Sequence, residues 1–208
     1  MPKRSLGLVL AGALTGLAGP VWAQGLPVQM AITCAEGGLS LSMSGERAEL
    51  LSGDVALPLR QEPAASGMRM VAEVDPDTWV WTKGDEVTVM LAGRELSACA
   101  VSGMTTVTGA PWTVTEIAGA PVTGSAPDLL WDEEGGFTGS GGCNRFTGSW
   151  GPEGPGPLAA TRMACPEPVM AQEQALFAAL ARVTGVRLDA QGGLDLRAGD
   201  EVVIRAQR

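Results

Sequence analysis

The sequence predicts a mainly β protein whose first half is an antiparallel sheet and whose second half is α+β. Three observations predict this fold class. Between residues 28 and 100, apolar and polar residues alternate in short runs separated by turn signals, as in a sheet that curls or closes to hide its edges. Residues 168–183 carry the one convincing helical period. Three short alternating runs follow that helix.

In the first half, each predicted strand is a period-two run that ends at a cluster of turn-forming residues. No stretch of this half has a helical period long enough to favour a helix. The runs are L-S-L-S-M at 39–43, V-A-L-P-L at 55–59, T-W-V-W-T at 78–82 and E-V-T-V-M-L at 86–91, with turn signals at 52–54, 75–77 and 83–85.

The second half follows a small, polar segment, residues 104–111, which we interpret as a linker. From Trp112 to Trp150 the sequence predicts strands interrupted by glycine clusters, and residues 151–157 predict a Pro/Gly loop. The helix that follows has an apolar stripe, and Pro168 suits its first turn. Short strands are predicted at 186–188, 194–197 and 202–205.

Residues 1–23 have the three parts of a secretory signal peptide. Lys3 and Arg4 precede an apolar stretch, and Val-Trp-Ala stands before Gln24, so we expect cleavage after Ala23. The alternative is a membrane anchor, but the stretch is shorter than the roughly 20 apolar residues of a spanning helix and holds four glycines and a proline. No cysteine stands at the cleavage point to accept a lipid. We therefore expect a periplasmic protein with neither a membrane span nor a lipid anchor.

Export to an oxidising compartment favours disulfides for the four cysteines, which allow three pairings. None forms a C-x-x-C pair, so a four-cysteine zinc site is a weak alternative. The domain plan, 24–103 and 112–208 on either side of the linker, places two cysteines in each domain and so selects Cys34–Cys99 and Cys143–Cys165. In the loop-entropy model these closures stabilise the fold by roughly 4 and 3 kcal/mol.

The composition excludes several classes of function. Because the chain has no histidine, it has no Ser-His or Cys-His nucleophile pair and no imidazole metal site. The net charge of -9 argues against a nucleic-acid partner, since such binding needs clustered Lys and Arg. Residues 24–208 hold 12 basic and 23 acidic residues, a net charge of -11, so a protein partner should be neutral or basic. We expect no cofactor, metal or catalytic residue.

The most specific sequence motifs of the first half are S-G-M-R at 66–69 and W-T-K-G-D-E at 81–86. If the chain turns at 75–77, Ser66 and Lys83 fall toward the open end of one hairpin, a few residues out of register. A hydroxyl and an ammonium would then project at the same rim. Taken alone, these residues are best explained as a turn at Ser66 and a solvated strand end at Lys83.

These segments, framed by Cys34 and Cys99, resemble the bacterial inhibitor family of C-type lysozymes over roughly residues 28–100. The resemblance implies a small antiparallel β-barrel whose motif serine and lysine enter the lysozyme cleft and engage its catalytic carboxylates. Those roles fall on Ser66 and Lys83. The residues that support the binding loops are then Gly67, Arg69, Trp81 and Gly84, and Met70 stands where the family commonly has a tyrosine.

The second half contains G-C-N-R-F-T-G-S-W at 142–150 and A-T-R-M-A-C at 160–165, followed by a helix with Glu173. Over residues 112–206 it resembles the META domain, the module of the heat-inducible envelope protein HslJ, which is associated with cell-envelope stress and drug tolerance. Around the predicted disulfide we expect a polar network that ties its loops to the helix, where an arginine could meet Glu173; a functional pocket is the less favoured alternative. Its members are Asn144, Arg145, Thr161 and Arg162.

The sequence therefore predicts a periplasmic inhibitor of a C-type lysozyme, not an enzyme, with a META domain for envelope stress tolerance. The alternative is an envelope-stress or binding module that has no lysozyme target. A Ser-Lys hydrolase is a weaker possibility, because no S-x-x-K spacing surrounds Ser66.

Overall fold

The computed structural model describes residues 26–45, 47–53, 55–151 and 154–208, so the predicted signal peptide lies outside the described residues. The first half is one antiparallel sheet in the order β8-β7-β6-β5-β4-β3-β2-β1-β9, which curls into a half-barrel as β7 approaches β9. Its strands are β1 (Val28–Cys34), β2 (Gly37–Ser44), β3 (Arg47–Ser52), β4 (Val55–Glu62), β5 (Met68–Ala72), β6 (Trp79–Lys83), β7 (Glu86–Leu91), β8 (Arg94–Glu95) and β9 (Ala100–Thr106).

The concave face of this sheet holds the core of the first half, as the period-two runs predict. In β6, for example, Val80 is fully buried and Thr82 is 7% exposed, whereas Trp79 and Trp81 point to the other face. Met70 is buried in this core at the position of the family's tyrosine. The core side chains are aliphatic or sulfur-containing: Ile32, Cys34, Leu39, Leu41, Ala48, Leu50, Leu59, Met70, Ala72, Val80, Val89 and Leu96.

A disulfide closes the end of the half-barrel where β1 finishes and β9 begins. It joins Cys34 to Cys99, as predicted. Next to it the Glu36 carboxylate accepts hydrogen bonds from the Ser97 backbone N–H at 3.1 Å and from the Ser97 hydroxyl at 3.0 Å. Desolvation acts to raise the pKa of Glu36, but these hydrogen bonds and the nearby Arg94 charge outweigh it and hold the pKa below its ordinary value.

The second half is a separate antiparallel sheet in the order β15-β14-β13-β12-β10-β19-β18-β17, with β11 paired to β10 and β16 paired to β14. The predicted Pro/Gly loop at 151–157 thus contributes a short strand. The strands are β10 (Trp112–Ile117), β11 (Ala120–Pro121), β12 (Asp128–Trp131), β13 (Gly136–Ser140), β14 (Arg145–Gly151), β15 (Gly154–Pro155), β16 (Ala159–Ala160), β17 (Gly185–Leu188), β18 (Leu194–Ala198) and β19 (Glu201–Gln207).

The only α-helix among the described residues, α1 (Glu167–Leu180), packs against β10 and β19. It begins directly after Pro166 and ends three residues earlier than the stripe predicted. Leu176 and Leu180 lie in an aromatic-rich core with three tryptophans and two phenylalanines. Cys143–Cys165, the second predicted disulfide, precedes the helix. The predicted fold class, mainly β with one helix packed on the second sheet, is confirmed.

The segment between the halves is held in place. Strand β9 continues to Thr106, so the first three residues of the expected linker, 104–111, are paired with β1. The Arg208 guanidinium donates to the backbone carbonyls of residues 106, 107, 108 and 110 at 2.7–3.0 Å. It also stacks 4.1 Å from the centroid of the Trp112 ring.

The β17–β18 hairpin of the second half lies on the convex face of β1, β2 and β3. At its tip the Asp189 carbonyl accepts a 2.6 Å hydrogen bond from the Gln29 side chain, and the next carbonyl accepts a 3.5 Å bond from the Ser40 hydroxyl. Gln29 is 3% exposed. Arg187 and Glu49 form an ion pair across the same contact, with Nε and Oε2 3.3 Å apart. These contacts fix one half against the other.

Candidate functional site

Two neighbouring loops at one end of the half-barrel carry the motif residues. Because β5 and β6 are antiparallel, the loop before β5, which holds Ser66, lies beside the turn after β6, which follows Lys83. The register pairs Met68 with Thr82, which places Gly67 opposite Lys83. Ser66 is therefore one position from Lys83, closer than the sequence predicted.

The contact between the two loops depends on glycine at position 67. Gly67 has a φ of +70°, a left-handed conformation that L side chains rarely adopt. A Cβ on this residue would collide with the Thr82 carbonyl oxygen and would lie 3.1 Å from the Lys83 Cβ. Gly84 follows Lys83 with a φ of +60°, so the second turn also uses a left-handed glycine, although in open space.

Side chains on the convex face brace the Ser66 loop. The Trp81 indole N–H donates a 2.9 Å hydrogen bond to the Ser66 carbonyl. Arg69, which is opposite Trp81 in the register, stacks over Trp79 with its guanidinium carbon 4.3 Å from the ring centroid and lies 3.8 Å from Glu62. Position 66 is thus fixed by its backbone while the residue stays exposed.

Lys83 is an exposed positive charge in an acidic chain. It is the only lysine after residue 3, and it forms no ion pair with any residue that the structure describes. Asp85 and Glu86 adjoin it in the turn but do not approach its ammonium within 4 Å. This ammonium is available to an anionic group of a partner.

Replacing Gly67 with alanine should destabilise the protein by about 1–3 kcal/mol, since the new Cβ meets both a strained φ and the Thr82 carbonyl. Thermal unfolding measures the effect. Gly84→Ala adds only the strained φ and should cost about 1 kcal/mol. Gly38→Ala, in a strand with open space, should change stability by less than about 0.5 kcal/mol. Equal unfolding temperatures for the Gly67 and Gly38 variants would contradict the loop geometry.

In the second half, the predicted polar network is built around a buried carboxylate. Glu173, 6% exposed, accepts hydrogen bonds from the Asn144 backbone N–H at 2.6 Å and from its side-chain amide at 2.7 Å. The Asn144 amide oxygen in turn accepts from the Thr161 hydroxyl and the Met163 N–H. Among the described residues, the partner of Glu173 is therefore Asn144 and not an arginine.

Arg145 and Arg162, the arginines expected near Glu173, are both exposed. Instead, Asn144 donates to each of the two carboxylate oxygens of Glu173, and Gly141 packs so close that a Cβ added there would strike the Glu173 side chain. The arrangement ties the disulfide loop to α1.

The part of the chain that the structure describes has neither a metal-binding cluster nor a membrane-spanning helix. No group of three or more His, Cys, Asp or Glu side chains there is placed to hold a metal ion. Within the same ranges, no helix has both the length and the apolar character needed to cross a bilayer.

Sequence reasoning missed Trp79 as part of the site. The signal was present, since T-W-V-W-T at 78–82 alternates, and alternation places Trp79, Trp81 and Lys83 on one face of β6. No comparable pattern in the sequence predicts the contacts that Gln29 and Arg208 make between the halves.

The first half is thus a curled sheet with a serine loop at one end and, beside it, a lysine that pairs with no described residue; loops on a rigid scaffold are where binding residues commonly lie. Residues 33–97 match the family model described as membrane-bound lysozyme-inhibitor of c-type lysozyme, and residues 105–208 match that of the META domain. The chain therefore belongs to the META domain family and carries a lysozyme-inhibitor-family domain in front of it. Both resemblances are confirmed. No curated protein and no solved structure matches the chain significantly.

Proposed function

We propose that this protein inhibits a C-type lysozyme in the periplasm through Ser66 and Lys83. The observation that carries the proposal is the exposed Lys83, which pairs with no described residue and lies next to a serine loop that Trp81 fixes by its backbone. The match of residues 33–97 to the inhibitor family supports it. Two disulfides favour an extracytoplasmic location, where such a lysozyme would be met.

The chemistry follows from the target's mechanism. A retaining glycosidase needs two carboxyl groups in different states, one a protonated acid and one ionised, with room for the sugar between them. The Lys83 ammonium, placed there, forms charge-assisted hydrogen bonds to the carboxylates and lowers the pKa of the acid. It also occupies the substrate's place. Ser66, held beside it, supplies a hydroxyl that can donate to the same group.

Long-range electrostatics favour the same partner. Lysozymes of this class are generally basic, and residues 24–208 carry a net charge of -11. Opposite net charges accelerate diffusional encounter, and salt screens this effect. Lys83 then supplies positive charge locally, where the target's cleft is negative.

The purified protein should slow the lysis of Gram-positive cells by egg-white lysozyme, as followed by turbidity. The association rate constant, measured by stopped flow or surface plasmon resonance, should fall roughly 10-fold or more as ionic strength rises from about 0.02 to 0.5 M. Absence of inhibition at micromolar protein would refute the function and favour an envelope binding module without a lysozyme target. A rate independent of salt would refute the steering.

For the META domain we propose a role in envelope stress tolerance without catalysis. Its conspicuous polar residues, Asn144, Thr161 and Glu173, bind one another and the backbone. The rival Ser-Lys hydrolase would need a lysine whose pKa is lowered by burial, whereas Lys83 is exposed. An acylating active-site probe that labelled Ser66 would revive that rival.

A further inference from the structure

The first half places its largest apolar side chains outside its core. Between residues 28 and 106 the only aromatic residues are Trp79 and Trp81, and both are half-buried on the convex face of β6. The core on the concave face contains no aromatic residue. In the second half, by contrast, the tryptophans are 0–5% exposed: Trp112, Trp131 and Trp150.

This placement runs against the usual preference. Tryptophan buries more apolar surface than any other side chain and dominates the energetics of cores and interfaces. A chain that keeps two tryptophans on the water-facing side of a sheet leaves part of that surface in water. Tryptophan is also strongly enriched among interface residues that carry most of the binding free energy, and arginine is another such residue.

The two tryptophans form a continuous strip with the binding site. Trp79, Trp81 and Lys83 alternate along β6 and therefore share the convex face. Arg69 stacks on Trp79 from β5, and Met90 pairs with Trp79 from β7. We call these five residues the outer strip. Lys83 stands at its end, beside the Ser66 loop.

Neither the sheet nor the second half covers the outer strip completely. Val71, opposite Trp79 in the register, is 2% exposed, so the side chains on this face shield part of the convex surface from water. The outer strip itself remains half-exposed apart from Lys83, which is exposed. The hydrogen bonds and the ion pair from the β17–β18 hairpin reach β1, β2 and β3, at the other side of the sheet.

We propose that the outer strip is a protein-docking surface whose occupant is the protein rim beside the acidic cleft of a C-type lysozyme, a step that rests on the proposed function. Trp79 and Arg69 then form the desolvated centre of the contact, and Lys83 extends from its end into the cleft. Continuity with the proposed binding site selects this occupant, because Lys83 ends the strip and a lysozyme that takes its ammonium also meets the side chains next along β6. The partner approaches the convex face, not the open mouth of the half-barrel.

The test uses the whole protein labelled with 5-fluorotryptophan. Fluorine NMR signals of Trp79 and Trp81 are assigned by their loss in Trp79→Phe and Trp81→Phe. Adding unlabelled egg-white lysozyme should shift or broaden these two signals and leave those of the three buried tryptophans in place. In parallel, Trp79→Ser should weaken the lysozyme Kd by at least about 10-fold. Met104→Ala, 62% exposed on β9, is the matched control and should bind within about 2-fold of wild type.

The outcomes separate the two proposals. If wild type binds lysozyme and Lys83→Ala binds weakly, but the fluorine signals of Trp79 and Trp81 do not move, the docking surface is refuted while the function stands. If wild type does not bind, the function fails and the docking surface fails with it. If Trp79→Ser lowers the unfolding temperature, the fluorine signals of the wild-type protein decide.

Discussion

Lys83→Ala is expected to weaken inhibition of a C-type lysozyme by about 30-fold or more. In the proposed complex the ammonium is desolvated against carboxylates, and truncating one partner of such a charge pair costs roughly 2–5 kcal/mol. Most of the loss should appear in the dissociation rate, because contacts made after encounter set that rate. The inhibition constant from turbidity assays and the dissociation rate from surface plasmon resonance measure both.

Two control variants isolate the local contact. Arg94→Ala removes the same charge from an exposed side chain at the opposite end of the half-barrel and should change the inhibition constant by less than about 3-fold. Lys83→Arg keeps the charge but not the compact ammonium, so partial inhibition is expected. Since Lys83 is exposed and unpaired among the described residues, none of its variants should lower the unfolding temperature. Full inhibition by Lys83→Ala would rule out the role proposed for this residue.

Glu173→Ala is expected to lower the free energy of unfolding of the second half by about 3 kcal/mol. The change deletes two charge-assisted hydrogen bonds and leaves the buried backbone N–H and side-chain amide of Asn144 without their acceptor. Calorimetry should show an unfolding temperature of the second half lower by roughly 12–24 °C.

A second carboxylate on the same helix provides the comparison. Glu167 is exposed in the first turn of α1, so Glu167→Ala removes the same group and should cost less than about 1 kcal/mol, through the helix dipole alone. Glu173→Gln, which keeps the shape and one acceptor, should fall between the two. If Glu167→Ala and Glu173→Ala are equally stable, the buried network does not hold the disulfide loop to the helix.

Local patterns were sufficient to predict most of the fold. The run T-W-V-W-T at 78–82 became β6, Trp79–Lys83, because alternation reports directly which side of a strand faces a core. The helix was placed within a few residues because its stripe recurs with a helical period. The pairing of the cysteines followed once the chain was divided into two domains.

Contacts between distant residues were harder to predict. Gln29 reaches Asp189 across 160 positions, and in the sequence it is one polar residue in an alternating strand. The offset of Ser66 from Lys83 depends on how many residues the turn at 75–77 consumes, which alternation does not reveal. Residue spacing also could not show that an asparagine, with one backbone and one side-chain donor, would meet Glu173 before an arginine did.

Because the tip of the β17–β18 hairpin is bonded to β1 and Arg208 holds the connecting segment, the two halves should rotate in solution as one body. Amide 15N relaxation should then report one rotational correlation time for both halves, not a separate, shorter correlation time for each half. A lysozyme bound at the Ser66–Lys83 end of the half-barrel would then keep a constant orientation relative to the META domain. The angle between the halves is then held by several contacts together: the Gln29 amide on the Asp189 carbonyl, the Arg187–Glu49 ion pair and the Arg208 guanidinium on the connecting segment.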